Sequence, residues 1–149
     1  MYFLDKHKTI TLYYEMSLKT VCDKYDLKRM ECDILMFLHD YPELNTASDI
    51  IKFKKLTKSH VSTSLKILEN RGLITKKYED NNNKTIRIYL KESANPIIND
   101  GLEVRKQFAL DLLNGLTNEE KENLKNAFFK VCQNAEDCIK KKSNLKNDN

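Results

Sequence analysis

The hydrophobic period of the chain changes near its middle from that of a helix to that of a strand, and this change restricts the fold more than any other feature. Val61, Leu65 and Leu68 recur at helical spacing, which predicts a helix with one buried stripe. Thr57 can cap the start of this helix, and Gly72 can supply the left-handed residue just past its end. Both ends of the helix are therefore specified by local chemistry.

The residues after this helix alternate apolar and polar side chains, as a half-buried strand does. Residues 73–78 and 85–90 predict a pair of strands, and residues 79–84 between them have the composition of a turn. The sequence thus predicts a hairpin that directly follows the capped helix.

Three helices are predicted before this segment. The first covers about residues 4–25, where no glycine or proline interrupts a helical apolar pattern. The second covers about 28–40, with Asp26 as its candidate cap. The third is short and begins near Thr46, which forms a capping-box pattern with Asp49.

Two long helices are predicted after the hairpin. Pro96 suits the first turn of a fifth helix, and Thr117 with Glu120 forms a capping-box pattern for a sixth. The sixth helix carries an apolar stripe with a heptad-like rhythm, at Leu124, Phe128, Val131, Ala135 and Cys138.

These elements predict a mainly α protein, and the presence of only 3 glycines and 2 prolines also favours long helices. The order of short helix, tight turn, capped helix and hairpin is that of a winged helix-turn-helix lobe, at about residues 28–91. We expect a single domain over residues 1–149. The helical segments 4–25 and 95–139 lie outside the lobe, and the tail 140–149 is expected to be disordered.

The predicted fourth helix presents a polar face opposite its buried stripe. With about 100° per residue, Ser59, Thr63, Lys66 and Asn70 lie near the opposite pole, flanked by His60 and Ser62. Ordinary surface helices mix both signs of charge, whereas this helix has no acidic residue before Glu69. Such a face can approach a polyanion and offer hydrogen-bond donors to base edges.

Charge is distributed unevenly along the chain. Residues 52–91 contain eleven Lys or Arg and three acidic residues, a local net charge of +8, while the remainder has a net charge of −4. Charge runs are usually solvated surface, but a basic segment within an otherwise acidic chain is also typical of a polyanion-binding lobe.

The segment Leu56–Ile74 resembles the recognition-helix segment of the MarR (multiple antibiotic resistance regulator) family. The resemblance implies a homodimer whose contacts come from the helices in 4–25 and 95–139. It also implies palindromic double-stranded DNA as the partner, with the fourth helix in the major groove and the hairpin tip, or wing, in the minor groove. The site residues it implies are Thr57, Lys58, Ser59, His60, Ser62, Thr63 and Lys66 on the helix, and Asn82, Asn83, Lys84 and Arg87 on the wing.

Two departures from the family pattern affect this expectation. The family's wing tip usually carries Asp-Arg-Arg, where this chain has Asn82, Asn83 and Lys84. Thr63 stands where the family often has arginine, so bidentate guanine recognition from that position is lost. We therefore expect the wing to contribute charge but little sequence recognition.

The function that this resemblance implies is a sequence-specific transcriptional regulator, a repressor relieved by a small ligand whose identity the sequence does not give. Two alternatives remain at this point: a winged helix used for protein contacts, as in an antirepressor, and a thiol-based redox-sensing regulator. The basic segment 52–91 disfavours the first, because protein-binding hot spots favour aromatic residues.

Other classes of protein are disfavoured by the motifs. The sequence has no phosphate-binding glycine loop and no H-E-x-x-H zinc motif, and His7, His39 and His60 are scattered. We expect no enzymatic activity, no metal and no cofactor. No apolar run is long enough to cross a membrane, so we expect no membrane partner and a cytoplasmic location.

The four cysteines form no C-x-x-C pair. For such a chain we expect reduced thiols on apolar helix faces, with redox activity left open. The positions concerned are Cys22, Cys32, Cys132 and Cys138.

Overall fold

In the part of the chain that the structure describes, four α-helices precede an antiparallel hairpin and two long α-helices follow it. The computed structural model describes residues 5–79 and 82–147, with the side chains of 82–83 and 144–147 left out of the description. The helices are α1 (His7–Lys24), α2 (Arg29–Asp40), α3 (Ala47–Lys54), α4 (Lys58–Asn70), α5 (Asn95–Leu112) and α6 (Asn118–Asn147), the strands are β1 (Ile74–Glu79) and β2 (Asn82–Leu90), and a short 3-10 helix covers Glu92–Ala94.

The chain divides into two compact units, Met1–Phe108 and Ala109–Asn149. The first unit contains the helices and the hairpin of the predicted winged lobe. Its core is formed mainly by α2, α4 and the side chains that pack against them, and the largest fully buried members are Phe37, Leu18, Ile34, Leu35, Ile50, Leu68, Ile74 and Val61.

The start of α2 differs from the sequence prediction. Asp26 does not cap the helix, because its backbone is left-handed with φ at +49° and it lies within the turn that follows α1. Lys28 occupies the N-cap position instead, and its backbone N–H donates to the Glu31 carboxylate over 2.9 Å. Glu31, in the first turn of α2, therefore caps the helix in place of Asp26, which the sequence had predicted as the cap.

Polar contacts join α5 to the C-terminal ends of α1 and α2. Asp100 accepts hydrogen bonds from Lys24 at 2.6 Å and from the Tyr25 hydroxyl at 2.8 Å. Arg105 donates to Asp40 over 2.7 Å. Burial raises the pKa of the Asp40 carboxyl, but hydrogen bonds from His39 and Arg105 outweigh it and hold that pKa below its ordinary value.

Helix α6 begins as predicted and ends later than predicted. The capping box is present, since the Thr117 N–H donates to Glu120 at 2.8 Å and the Glu120 N–H donates to the Thr117 hydroxyl at 3.2 Å. The helix runs to Asn147, so residues 140–147 are helical where a disordered tail was expected. The reason lies in the sequence itself, because no glycine or proline follows Gly115 and lysines favour a helix C-terminus.

Candidate nucleic-acid interface

Local hydrogen bonds define both ends of α4. The Thr57 hydroxyl accepts the His60 N–H at 3.4 Å, as an N-cap does. At the other end Gly72 has φ of +70°, its N–H donates to the Glu69 carbonyl at 2.9 Å, and the Leu73 N–H donates to the Leu68 carbonyl at 3.0 Å. This pair of bonds is a Schellman motif, and it confirms the predicted helix end.

The rotation of α4 about its axis also agrees with the sequence prediction. Val61, Leu65 and Leu68 are buried, and Ser64 joins them in the interior although the apolar pattern gave no sign of it. Every residue predicted for the nucleic-acid face of this helix is exposed: Thr57, Lys58, Ser59, His60, Ser62, Thr63 and Lys66. The structure therefore brings these side chains together on one solvent-facing surface.

A residue that the sequence reasoning missed holds the far end of α4. The Arg71 guanidinium donates to the backbone carbonyls of Asp26 at 2.6 Å and Tyr25 at 2.7 Å. These carbonyls belong to the turn between α1 and α2, so Arg71 ties the end of α4 to that turn. In the sequence, the only sign of this structural role is that Arg71 directly precedes Gly72, the predicted end of the helix.

The turn between α3 and α4 is short and closely bonded. Thr46 and Asp49 form the predicted capping box at the start of α3. Lys55, the C-cap residue just after the helix, has a left-handed φ of +52°, and the Leu56 N–H donates to the Ile51 carbonyl at 3.1 Å. This geometry positions α4 directly after the short helix, as a helix-turn-helix requires.

The wing is an antiparallel hairpin whose second strand is longer than predicted. Its register pairs Ile74 with Leu90 and Tyr78 with Ile86, with an irregularity between Tyr78 and Glu79. Because β2 starts at Asn82, the positions of Asn82, Asn83 and Lys84 belong to this strand and not to a loop. Strand pairing therefore extends into the segment whose composition predicted a turn.

Only some of the residues predicted to contact DNA at the tip of the hairpin belong to the described part of the chain. Residues 80–81 and the side chains of Asn82 and Asn83 lie outside the described residues. Lys84 is described and exposed.

Arg87 points back into the protein. Its guanidinium donates to the Asn45 side-chain oxygen at 2.9 Å and to the Glu79 carboxylate at 3.0 Å. Asn45 is only 5% exposed, and its backbone carbonyl accepts the Ile88 N–H at 2.8 Å. Arg87 thus fastens β2 to the loop before α3, and its predicted contact with DNA stays a prediction.

The acidic residues described within segment 52–91 are already paired. Glu69 lies 2.7 Å from Lys76, and Glu79 lies 3.0 Å from Arg87. Lys58 and Lys66 are exposed on α4. The outer face of α4 is therefore electrostatically suited to an anionic partner.

A short helix, a tight turn, a second helix with an acid-free exposed face and a following hairpin define a winged helix-turn-helix protein. The sequence model of the MarR family matches residues 25–83. Over these residues the chain is similar to this family.

A curated relative and two solved structures are similar to this chain. It is 32% identical over 88 residues to the uncharacterized HTH-type transcriptional regulator YwhA of Bacillus subtilis (strain 168), an alignment covering 59% of this chain and 63% of that protein. A MarR-type chain of Listeria monocytogenes complexed with 26mer DNA has a TM-score of 0.76 at 21% identity, covering 90% of this chain and 89% of that chain. The S. aureus MepR–DNA complex has a TM-score of 0.61 at 20% identity, covering 86% and 96%.

The similarity to these solved structures confirms the predicted winged helix-turn-helix fold class. Within residues 5–79 and 82–147, no helix is long and apolar enough to cross a membrane. The same residues include no group of three or more His, Cys, Asp or Glu side chains placed to hold a metal ion.

Proposed function

We propose that this protein is a transcriptional regulator that binds specific double-stranded DNA as a homodimer. The observation that carries the proposal is the exposed face of α4, which combines hydroxyls, an imidazole and cations and has no acidic residue in its first three turns. The DNA complexes of the similar Listeria and MepR chains support it.

Helix α4 would enter the major groove by its N-terminal end. His60 can donate to or accept from a purine edge, and the Thr63 methyl can pack against a thymine methyl. Ser59 and Ser62 lie near the free backbone N–H groups and the positive end of the helix dipole, which favour phosphate. The helix therefore divides its contacts between backbone positioning and base recognition.

Binding should weaken steeply with salt. If each protomer neutralises several phosphates, log K is expected to fall against log salt with a slope of the order of −5 to −10 per dimer. The measurement selects bound sequences from random duplex DNA and then titrates the selected site and a scrambled site at several salt concentrations. A slope near zero, or equal affinity for the two duplexes, would exclude specific DNA binding.

The homodimer is proposed from apolar surface at both ends of the chain. In the first unit, Ile10, Leu12 and Met16 on α1 are exposed. In the second unit, the α6 stripe is exposed, with Leu124 at 50% and Phe128 at 65%. Large exposed apolar side chains on helices of this kind are candidates for an interaction surface. A twofold dimer would read an inverted repeat with half-sites about one helical turn apart.

The two cationic wing residues are expected to respond differently to substitution. Lys84→Ala should weaken binding to all duplexes alike and reduce the magnitude of the salt slope by about one.

Arg87→Ala and Arg87→Lys should both weaken binding and lower the melting temperature, because lysine cannot reproduce the forked contact with Asn45 and Glu79. If Arg87→Lys binds DNA as tightly as wild type, and Arg87→Ala reduces the magnitude of the salt slope by about one, then Arg87 contacts a phosphate instead.

We further propose that the regulator is a repressor released by a small ligand. An open pocket of about 400 Å³ lies between α1 and α5 in the first unit, and it is lined by Thr20, Val21, Lys24, Asp100, Glu103, Val104 and Gln107. Its volume is within the range of small-molecule sites. Thr20→Trp, which fills the pocket from its rim, should bind operator normally and resist release by small aromatic acids. Operator release measured by fluorescence anisotropy tests this, and equal release of variant and wild type would place the ligand elsewhere.

A further inference from the structure

Two buried cysteines from different helices lie in contact. The Sγ atoms of Cys22, near the end of α1, and Cys32, in the first turn of α2, are 3.1 Å apart. This separation is about 1 Å longer than a disulfide bond. Cys22 is 6% exposed and Cys32 is 2% exposed. The ten-residue spacing of the two residues in the sequence gives no sign of this contact.

The fold holds this pair from both sides. The Leu27 N–H donates to the Cys22 carbonyl at 2.9 Å, and the Cys32 N–H donates to the Lys28 carbonyl at 3.1 Å. The left-handed Asp26 reverses the chain between these bonds, and Arg71 holds the Asp26 carbonyl. The two sulfur atoms therefore lie at a junction fixed by backbone hydrogen bonds, and not on mobile segments.

Cys22 borders an open pocket on the surface of the first unit. A space of about 480 Å³ is lined by Cys22, Glu15, Lys19, Asp23, Leu27 and Arg29, and Cys32 is not part of its lining. A small reagent from solution would therefore meet Cys22 first. Burial, and then the hydrogen bond with the neighbouring Cys22, raise the pKa of the Cys32 thiol.

We propose that Cys22 and Cys32 form an oxidative modification site that closes into an intrachain disulfide on exposure to hydrogen peroxide. The Cys22 sulfur attacks the peroxide and breaks its O–O bond, which yields a sulfenic acid at Cys22 and one water. The Cys32 sulfur then attacks the Cys22 sulfur, and the sulfenic oxygen leaves as a second water with the thiol proton. Two thiols are oxidised by two electrons, and one peroxide is reduced.

The disulfide would join α1 to α2 across the turn that anchors α4. Because a cross-link restricts the unfolded chain, the oxidised protein should melt at a higher temperature than the reduced protein. Cys132 and Cys138 lie in the second unit and are intermediate and exposed in their accessibility, so they serve as an internal comparison.

The experiment uses the full reduced chain, treated with hydrogen peroxide, blocked with an alkylating agent and digested with trypsin. Lys24, Lys28 and Arg29 separate the two cysteines, so a Cys22–Cys32 disulfide links the peptides 20–24 and 30–52. The expected result is this linked pair, with loss of alkylation at both positions and recovery of both after reduction. The Cys132→Ser, Cys138→Ser double variant should give the same linked pair.

A Cys32→Ser variant should accumulate sulfenic acid at Cys22, which dimedone captures. The proposal is overturned if Cys22 and Cys32 of the wild-type chain still react fully with the alkylating agent after peroxide has oxidised Cys138. It is also overturned if the linked pair disappears in the Cys132→Ser, Cys138→Ser variant. The peptide map of the wild-type chain decides the question even if Cys32→Ser fails to fold.

Discussion

Replacing Leu124 and Phe128 with aspartate is expected to convert the proposed dimer into a monomer and to weaken operator binding at least a hundredfold. Both side chains lie on the exposed apolar stripe of α6. Two carboxylates per protomer would bury four unpaired charges in a twofold interface, which is strongly unfavourable. A monomer also loses the second half-site, and linked binding of two sites commonly raises affinity by about 10² to 10⁴.

Light scattering measures the mass of each variant, and fluorescence anisotropy measures its operator affinity. The matched control is Asn126→Asp with Lys130→Gln, which changes the net charge equally on the opposite face of α6. This control should remain dimeric and bind normally. A wild-type monomer at micromolar concentration, or a stable dimer of the aspartate variant, would show that α6 does not form the interface.

Replacing His60 and Thr63 with alanine is expected to weaken binding to the preferred operator by about several hundredfold, because the proposed dimer loses two contacts in each half-site, and to leave binding to scrambled DNA nearly unchanged. Each altered base contact is worth about 1 kcal/mol or more, and about 1.4 kcal/mol corresponds to a factor of ten. Both side chains are exposed in the first two turns of α4, the part of a recognition helix that reaches base edges.

The control for this variant is Asn70→Ala, an exposed position at the end of the same helix. It should keep both affinity and specificity, because it lies too far along α4 to reach the bases. Thermal melting separates binding from folding: the His60→Ala, Thr63→Ala variant should melt close to wild type. A large drop in melting temperature with unchanged site preference would mean that this face of α4 supports the fold and not recognition.

The candidate face of α4 could be predicted because short-range chemistry controls it. Thr57 and Gly72 set where the helix starts and ends, and the spacing of Val61 and Leu65 sets its rotation. Once these are known, the positions that face solvent follow from the helical period. Whether the exposed side chains bind DNA stays a prediction that the titrations above will test.

The wing and the second helix were predicted less well. The composition of residues 79–84 indicated a turn, but pairing with β1 extends β2 back to Asn82. Asp26 matched the preference for an N-cap, yet the reversal after α1 requires a left-handed residue there, and Glu31 caps α2 instead. In both cases the tertiary contacts of the neighbouring element outweighed a weak local preference.

The sequence by itself determined the order of elements, the caps at Thr46, Thr57 and Thr117, and the outward face of α4. Each of these features depends on hydrogen bonds or on a hydrophobic period that span about four residues. Patterns of this length can be identified directly in the sequence. Only the tertiary structure decided that Arg71 holds the turn between α1 and α2, that Arg87 fastens the wing to Asn45, and that Cys22 touches Cys32. These contacts join residues that the chain separates by between ten and 46 positions, and they form because packing of the apolar core brings separate elements together.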